Sequence, residues 1–209
     1  MNVAGALRWW PPVGVVAMIA LGLAVGKGPT PVDDWFNRAA HAVGSGYVRW
    51  FLVLTDWWLL GPVLAACVVA ALVGRRWRLA VVIAACPFAA IEISEAFKRL
   101  FEREKGGALA YPSGHMTLLV AVMGMVVLVA GARLWAVWLA TAVSVLGMVA
   151  LASSYHYLTD TIGASLLSTA LVCIYARLAG TAPAPAGRPP KRLPPPRAAP
   201  CGTAATQLY

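Results

Sequence analysis

The chain is short of charge. Only 12% of its 209 residues are Asp, Glu, Lys or Arg, about half of the ~25% usual in a soluble domain. So thin a supply cannot coat a globule with water-facing groups, which excludes an ordinary soluble enzyme. Acids are scarcer still, 8 against 17 Lys and Arg, for a net charge of +9. The bases punctuate apolar runs instead of gathering on one soluble face, so the excess does not describe a nucleic-acid surface. Cysteine is sparse too. Cys67, Cys86, Cys173 and Cys201 stand singly, with no C-x-x-C pair for zinc or redox work. The first three lie in apolar stretches and read as small apolar fillers. No internal repeat is present, and no long soluble domain lies outside the apolar runs.

Those runs are what the chain has in abundance: 60% of residues are apolar and the mean hydropathy is +0.73. Crossing a bilayer takes about 20 apolar residues. Six stretches approach this, at 9–25, 51–73, 79–97, 115–130, 134–154 and 161–178. Backbone groups left unpaired in lipid are costly, so each is expected to be helix. The fold class is therefore all-α, a six-transmembrane-helix bundle over residues 1–179. The fourth stretch is short and Leu134 follows closely, which predicts a tight helical hairpin. Arg8 before the first run resembles a signal peptide, but no A-x-A-like cleavage site follows, so the run reads as a retained anchor. Residues 180–209 hold eight of the 15 Pro and are expected to form a disordered basic tail. A short interfacial helix is expected over residues 33–41, with His41 on its polar face. Trp9, Trp10, Trp50, Trp57, Trp58 and Trp77 lie near span ends, as an aromatic belt would. Gly22-x-x-x-Gly26 has the spacing of a helix-packing motif.

Orientation follows from the loops. With the amino terminus in the cytoplasm, the inner segments hold ten cations, including Arg75, Arg76, Arg78 and the tail. The outer segments hold seven, which agrees with the positive-inside rule. All eight acids and all three His then fall in outer loops or the outer halves of spans. The reading expects a multi-pass protein of the cell membrane, both termini cytoplasmic, with its polar chemistry on the extracytoplasmic side.

Three segments reach that side together. The first runs from Lys98 to Gly106 after the third span. The second, Tyr111-Pro112-Ser113-Gly114-His115, opens the fourth. The third, Ser154 to Asp160, joins the fifth and sixth. Pro-Ser-Gly before an apolar run is a helix start whose free N–H groups and dipole attract an oxyanion. His115 in that first turn is placed to give a proton to a leaving oxygen. His156 and Asp160 are four apart, so one helical turn brings carboxylate to imidazole. A carboxylate on one ring nitrogen fixes the tautomer and leaves the other as a nucleophile. Lys98 and Lys105 add cations where phosphate charge must be held. Glu92, Glu95 and Arg99 recur at helical spacing, positioned either to brace Lys98 or to form a structural ion network.

These residues resemble the three motifs of the type 2 phosphatidic-acid phosphatase superfamily, K-x6-R-P, P-S-G-H and S-R-x5-H-x3-D, a site shared with vanadium haloperoxidases. Pro112-Ser113-Gly114-His115 matches the second motif completely, His156 and Asp160 match the end of the third, and Lys98 the start of the first. The resemblance covers roughly residues 50–180. It implies hydrolysis of a phosphomonoester or diphosphate without metal or cofactor. His156 would form a phosphohistidine, His115 would act as acid and then base, and Asp160 would hold His156. Lys98, Lys105, Ser113 and Gly114 would hold the phosphoryl oxygens. Membrane lipids would surround the protein, and the substrate would be a lipid phosphate: a polyprenyl phosphate or diphosphate, phosphatidate or phosphatidylglycerol phosphate. The chain departs from the motifs where they supply arginine. Lys105-Gly106 stands where R-P is expected, with Arg103 as a nearby substitute, and Val149-Ala150 stands where S-R is expected. Lysine offers a point charge in place of a bidentate fork, so the implied enzyme is atypical. The alternative is a catalytically impaired lipid-phosphate-binding membrane protein. A transporter is less favoured, because no paired broken helices occur.

Overall fold

The computed structural model describes residues 3–43 and 50–180, with side chains for residues 8–42 and 50–180. Arg49, Cys201 and the part of the expected tail that follows Gly180 lie outside the described residues.

The apolar runs are helices. Helix α1 (Val3–Val25) and the short α2 (Pro31–Val43) come first, then a 3₁₀ segment at Trp50–Thr55 and α3 (Trp57–Val73). Helix α4 (Trp77–Phe101) leads into a two-residue-per-strand hairpin, β1 (Glu104–Lys105) against β2 (Ala108–Leu109). Its turn is Gly106-Gly107, both at positive φ (62° and 83°), the conformation a two-residue hairpin demands and glycine supplies without strain. Helices α5 (Gly114–Val129), α6 (Leu134–Ala152) and α7 (Leu158–Leu178) complete the bundle. Among the described residues the architecture is thus all-helical apart from this hairpin.

Four helices are long and apolar enough to cross a membrane: Arg8–Val25 within α1, α4, α6 and α7. The other two expected spans are shorter. The second becomes a 3₁₀ turn, where the Thr55 hydroxyl donates to the Leu52 carbonyl, and then 17 helical residues. α5 has 16, stopped at one end by the Pro112-Ser113 cap and at the other by Gly131 and Ala132 at positive φ. At 1.5 Å per residue, each is about 25 Å long.

α5 is the central helix. Of the ten residues from Met116 to Met125 all but Gly124 are buried, and α3, α4, α6 and α7 all pack on the helix. α1 lies along α7, where Gly14 lets the backbones close: a Cβ there would be 3.0 Å from the Leu166 carbonyl. The exterior is apolar as well as the core, with Trp58 90% and Val73 79% exposed. A soluble surface would place charge at such positions.

Candidate functional site

All three polar segments meet at one end of the bundle, tied by hydrogen bonds. The Ser113 N–H donates to the Asp160 carbonyl (3.3 Å), Lys105 Nζ donates to the His156 carbonyl, and His156 Nδ1 lies 3.2 Å from the Ala110 carbonyl.

Helix α5 starts at a Ser113 N-cap whose Oγ accepts from the Met116 N–H (3.4 Å). The cap is buried and held from behind by Tyr111. That ring is fully buried, its hydroxyl donates to the Met18 carbonyl, and it fills the gap between α1 and α7. A Cβ on Gly22 would lie 2.6 Å from it and one on Gly163 2.5 Å. Gly22 therefore does serve packing, against Tyr111 and Phe101, whereas Gly26 sits at positive φ after α1 with open space around it. Burial raises the Tyr111 phenol above its ordinary range.

Gly114 also has a steric reason. A Cβ there would lie 3.2 Å from Lys98 Nζ and 3.4 Å from Glu95 Oε1, so glycine lets this ion pair (2.6 Å) sit against the first turn of α5. Glu95 thus braces Lys98; Glu92 and Arg99 are exposed. His115, exposed in that turn, faces buried His156 with ring centroids 6.3 Å apart. The two rings are too far apart to pair, and the spacing suits groups acting on opposite sides of one small substrate.

A carbonyl can only accept, so Ala110 places the His156 proton on Nδ1 and leaves Nε2 with its lone pair. Burial first, then repulsion from His115, Lys98 and Lys105, pushes the His156 pKa down to about 4. The imidazole is neutral at neutral pH. Asp160 was expected to fix this tautomer directly, but its Oδ2 is 3.9 Å from Nδ1, beyond hydrogen-bond reach. The carboxylate is drawn elsewhere. Oδ2 accepts the Tyr157 N–H (2.9 Å), as a third-position acid does at a helix start, and Oδ1 accepts Arg103 NH1 (2.7 Å).

Arg103 also differs from the expectation. It is fully buried. NH1 donates to Asp160 and to the Thr159 hydroxyl, and NH2 donates to Asp33 (2.8 Å) and the Gly28 carbonyl. A guanidinium engaged by two buried carboxylates is a structural brace, not an open phosphate fork. Asp33 mirrors Asp160: it is the third residue of α2, where Thr30 and Asp33 cap each other reciprocally, while its Oδ1 accepts the Thr159 N–H (3.0 Å). Burial acts to raise the Asp33 carboxyl, but donors from Thr159, Thr30 and Arg103 outweigh it and hold the group below its ordinary range. Lys105, half-buried and over the Tyr157 ring at 4.7 Å, is held below its usual ammonium range by burial. Ala150, where the motif expects arginine, is fully buried.

The sequence reading missed Ala110, whose role is carried by a backbone carbonyl and leaves no side-chain signal. It also missed the Asp33–Arg103–Asp160 brace. Half of that was legible, since Thr30-Pro31-Val32-Asp33 has the spacing of a capping box with proline at the first helical position. Among the described residues, no group of three or more His, Cys, Asp or Glu side chains is arranged to hold a metal ion. Comparison with family models, with curated proteins and with solved structures found no match.

Proposed function

We propose that this protein is a membrane-embedded phosphatase that hydrolyses a lipid phosphate or diphosphate through a phosphohistidine, in the manner of the type 2 phosphatidic-acid phosphatases its motifs resemble. The observation that carries the reading is the His156–His115 pair. One imidazole is buried and neutral, with Nε2 free, and the other is exposed 6.3 Å away at a helix amino terminus. In this reading all six apolar helices lie in the membrane and the site faces the extracytoplasmic side.

The geometry supports a two-step reaction. His156 Nε2 attacks phosphorus, the bond to the leaving oxygen breaks, and His115 supplies the proton that oxygen needs. The phosphorylated imidazole keeps its Nδ1 proton on the Ala110 carbonyl and carries a positive charge. Asp160, 3.9 Å away, offsets that charge through space. Water then attacks phosphorus, His115 takes its proton, the P–N bond breaks and phosphate leaves. Lys98 and the free N–H groups at the start of α5 hold the phosphoryl oxygens, and Lys105 contributes charge from the hairpin.

A second reading, a lipid-phosphate binder without turnover, is favoured by one observation. Ala150 is buried where the motif has arginine, and Arg103 is engaged by carboxylates. Phosphate release from phosphatidate and polyprenyl phosphates in mixed micelles containing chelator separates the two. The enzyme releases phosphate, and His156→Ala loses at least about a thousandfold in rate, the scale for removal of a nucleophile. Equal release by both proteins, or none by either, leaves the binder.

A further inference from the structure

The loop that carries His156 joins α6 to α7, yet beneath it the two helices part. Between them, floored by α5, runs an apolar cavity of about 750 Å³. On α5 its lining begins at Met116, the residue after His115, and continues past Leu128 to the turn at the far end of the bundle. From Met116 to Leu128 alone the helical rise is about 18 Å. On α5 the groove therefore begins one residue after His115, on α6 and α7 at Met148 and Ser165, and it runs away from the His156 end for more than the ~15 Å that is half of a bilayer's hydrocarbon core.

Its chemistry is that of a hydrocarbon site. On α7 the Ser165 hydroxyl donates to the Thr161 carbonyl and the Thr169 hydroxyl to the Ser165 carbonyl, so both are turned back on their own helix. Thr141 and Ser144 add two hydroxyls from α6, the remaining lining is mostly aliphatic, and a long apolar slot suits a chain more than a compact body.

We propose that this groove binds the tail of the substrate, and that the substrate is a lipid phosphate or diphosphate with one chain longer than a single leaflet. The proposal rests on the phosphatase reading for its headgroup. The groove explains the tail: with the phosphoryl group between His115 and His156, the chain descends between α6 and α7, beyond the depth an ordinary acyl chain reaches. A two-chain lipid would leave its second chain outside.

Cys173 lines the groove and is a free thiol, which gives a readout independent of turnover. Its alkylation by N-ethylmaleimide in detergent, followed by peptide mass spectrometry, is measured with decyl phosphate, undecaprenyl phosphate or dioleoyl phosphatidate present. Undecaprenyl phosphate is expected to slow labelling at least fivefold, and the other two less than twofold. In Ala140→Phe, which fills the far half, protection and kcat/KM for undecaprenyl phosphate fall at least tenfold while decyl phosphate hydrolysis is unchanged. Ser144→Phe, one turn nearer His156, shortens the longest chain accepted. Equal protection by phosphatidate, protection by no lipid, or loss of short- and long-chain turnover together in a variant that elutes as the parent does would overturn the proposal. Protection without phosphate release keeps the tail site and overturns the phosphatase reading.

Discussion

His156 shows how one environment sets a residue's chemistry. Buried and faced by His115, Lys98 and Lys105, it stays unprotonated down to about pH 4. The acid limb of kcat/KM that reports the nucleophile is therefore expected near 4, not at the 6.5 of a free imidazole. Lys98→Met removes one repelling cation, so it should move that limb toward neutrality while lowering the plateau; an unmoved limb would show that Lys98 does not face the imidazole. The same shift bears on stability. Between pH 6.5 and 4 the unfolded chain binds a proton that the folded chain refuses, so this contribution is complete above 6.5 and is lost as pH falls through the window. Gly114 belongs to this scale too. Gly114→Ala pushes against the flexible end of Lys98, so turnover should fall while the unfolding midpoint moves little.

Between elements, two contacts carry the site. Helix α2 is pinned to the start of α7 through Asp33, Arg103 and Asp160, all fully buried. Removing one carboxylate leaves Arg103 incompletely compensated, so Asp33→Ala should cost about 3–5 kcal/mol in detergent unfolding. Arg103→Met added to it should recover part of that loss. A double-mutant coupling below about 0.5 kcal/mol would show the pair to be independent. The second contact is Tyr111 wedged between Gly22 and Gly163. Gly163→Ala places a methyl 2.5 Å from that ring. A fully buried ring has nowhere to go, so the expected cost is about 1–3 kcal/mol, read as a lower unfolding midpoint. Because Tyr111 stands directly before Pro112-Ser113, phosphate release should fall with it.

For the whole molecule, the proposed topology puts the α4–α5 hairpin outside the cell and the α3–α4 turn inside. Cysteines introduced one at a time at Gly107 and Arg76, with Cys173 and Cys201 replaced, test this in intact cells. Gly107→Cys is expected to react with a membrane-impermeant maleimide and Arg76→Cys only after lysis. The reverse pattern would place the site in the cytoplasm. Either way the polar residues of three separate segments share one end, because each pair of antiparallel helices returns the chain to the same side.

The pattern of apolar runs determined by itself that the chain is helical, where the helices lie to within about six residues, and which end carries the polar chemistry. Covalent spacing was enough for that, since helix length and hairpin return follow from local sequence. Pro112-Ser113-Gly114-His115 and His156 were likewise readable, because cap chemistry and residue type reside in the side chains named. Only the tertiary structure decided what holds them. That Ala110 orients His156 depends on a carbonyl, which every residue has. That Asp160 turns to Arg103 and Tyr157, leaving His156 at 3.9 Å, depends on α2 arriving with Asp33. That α6 and α7 part beneath the His156 loop depends on side-chain packing summed along whole helices. Such choices rest on small differences between competing contacts across distant segments, and no local pattern records them.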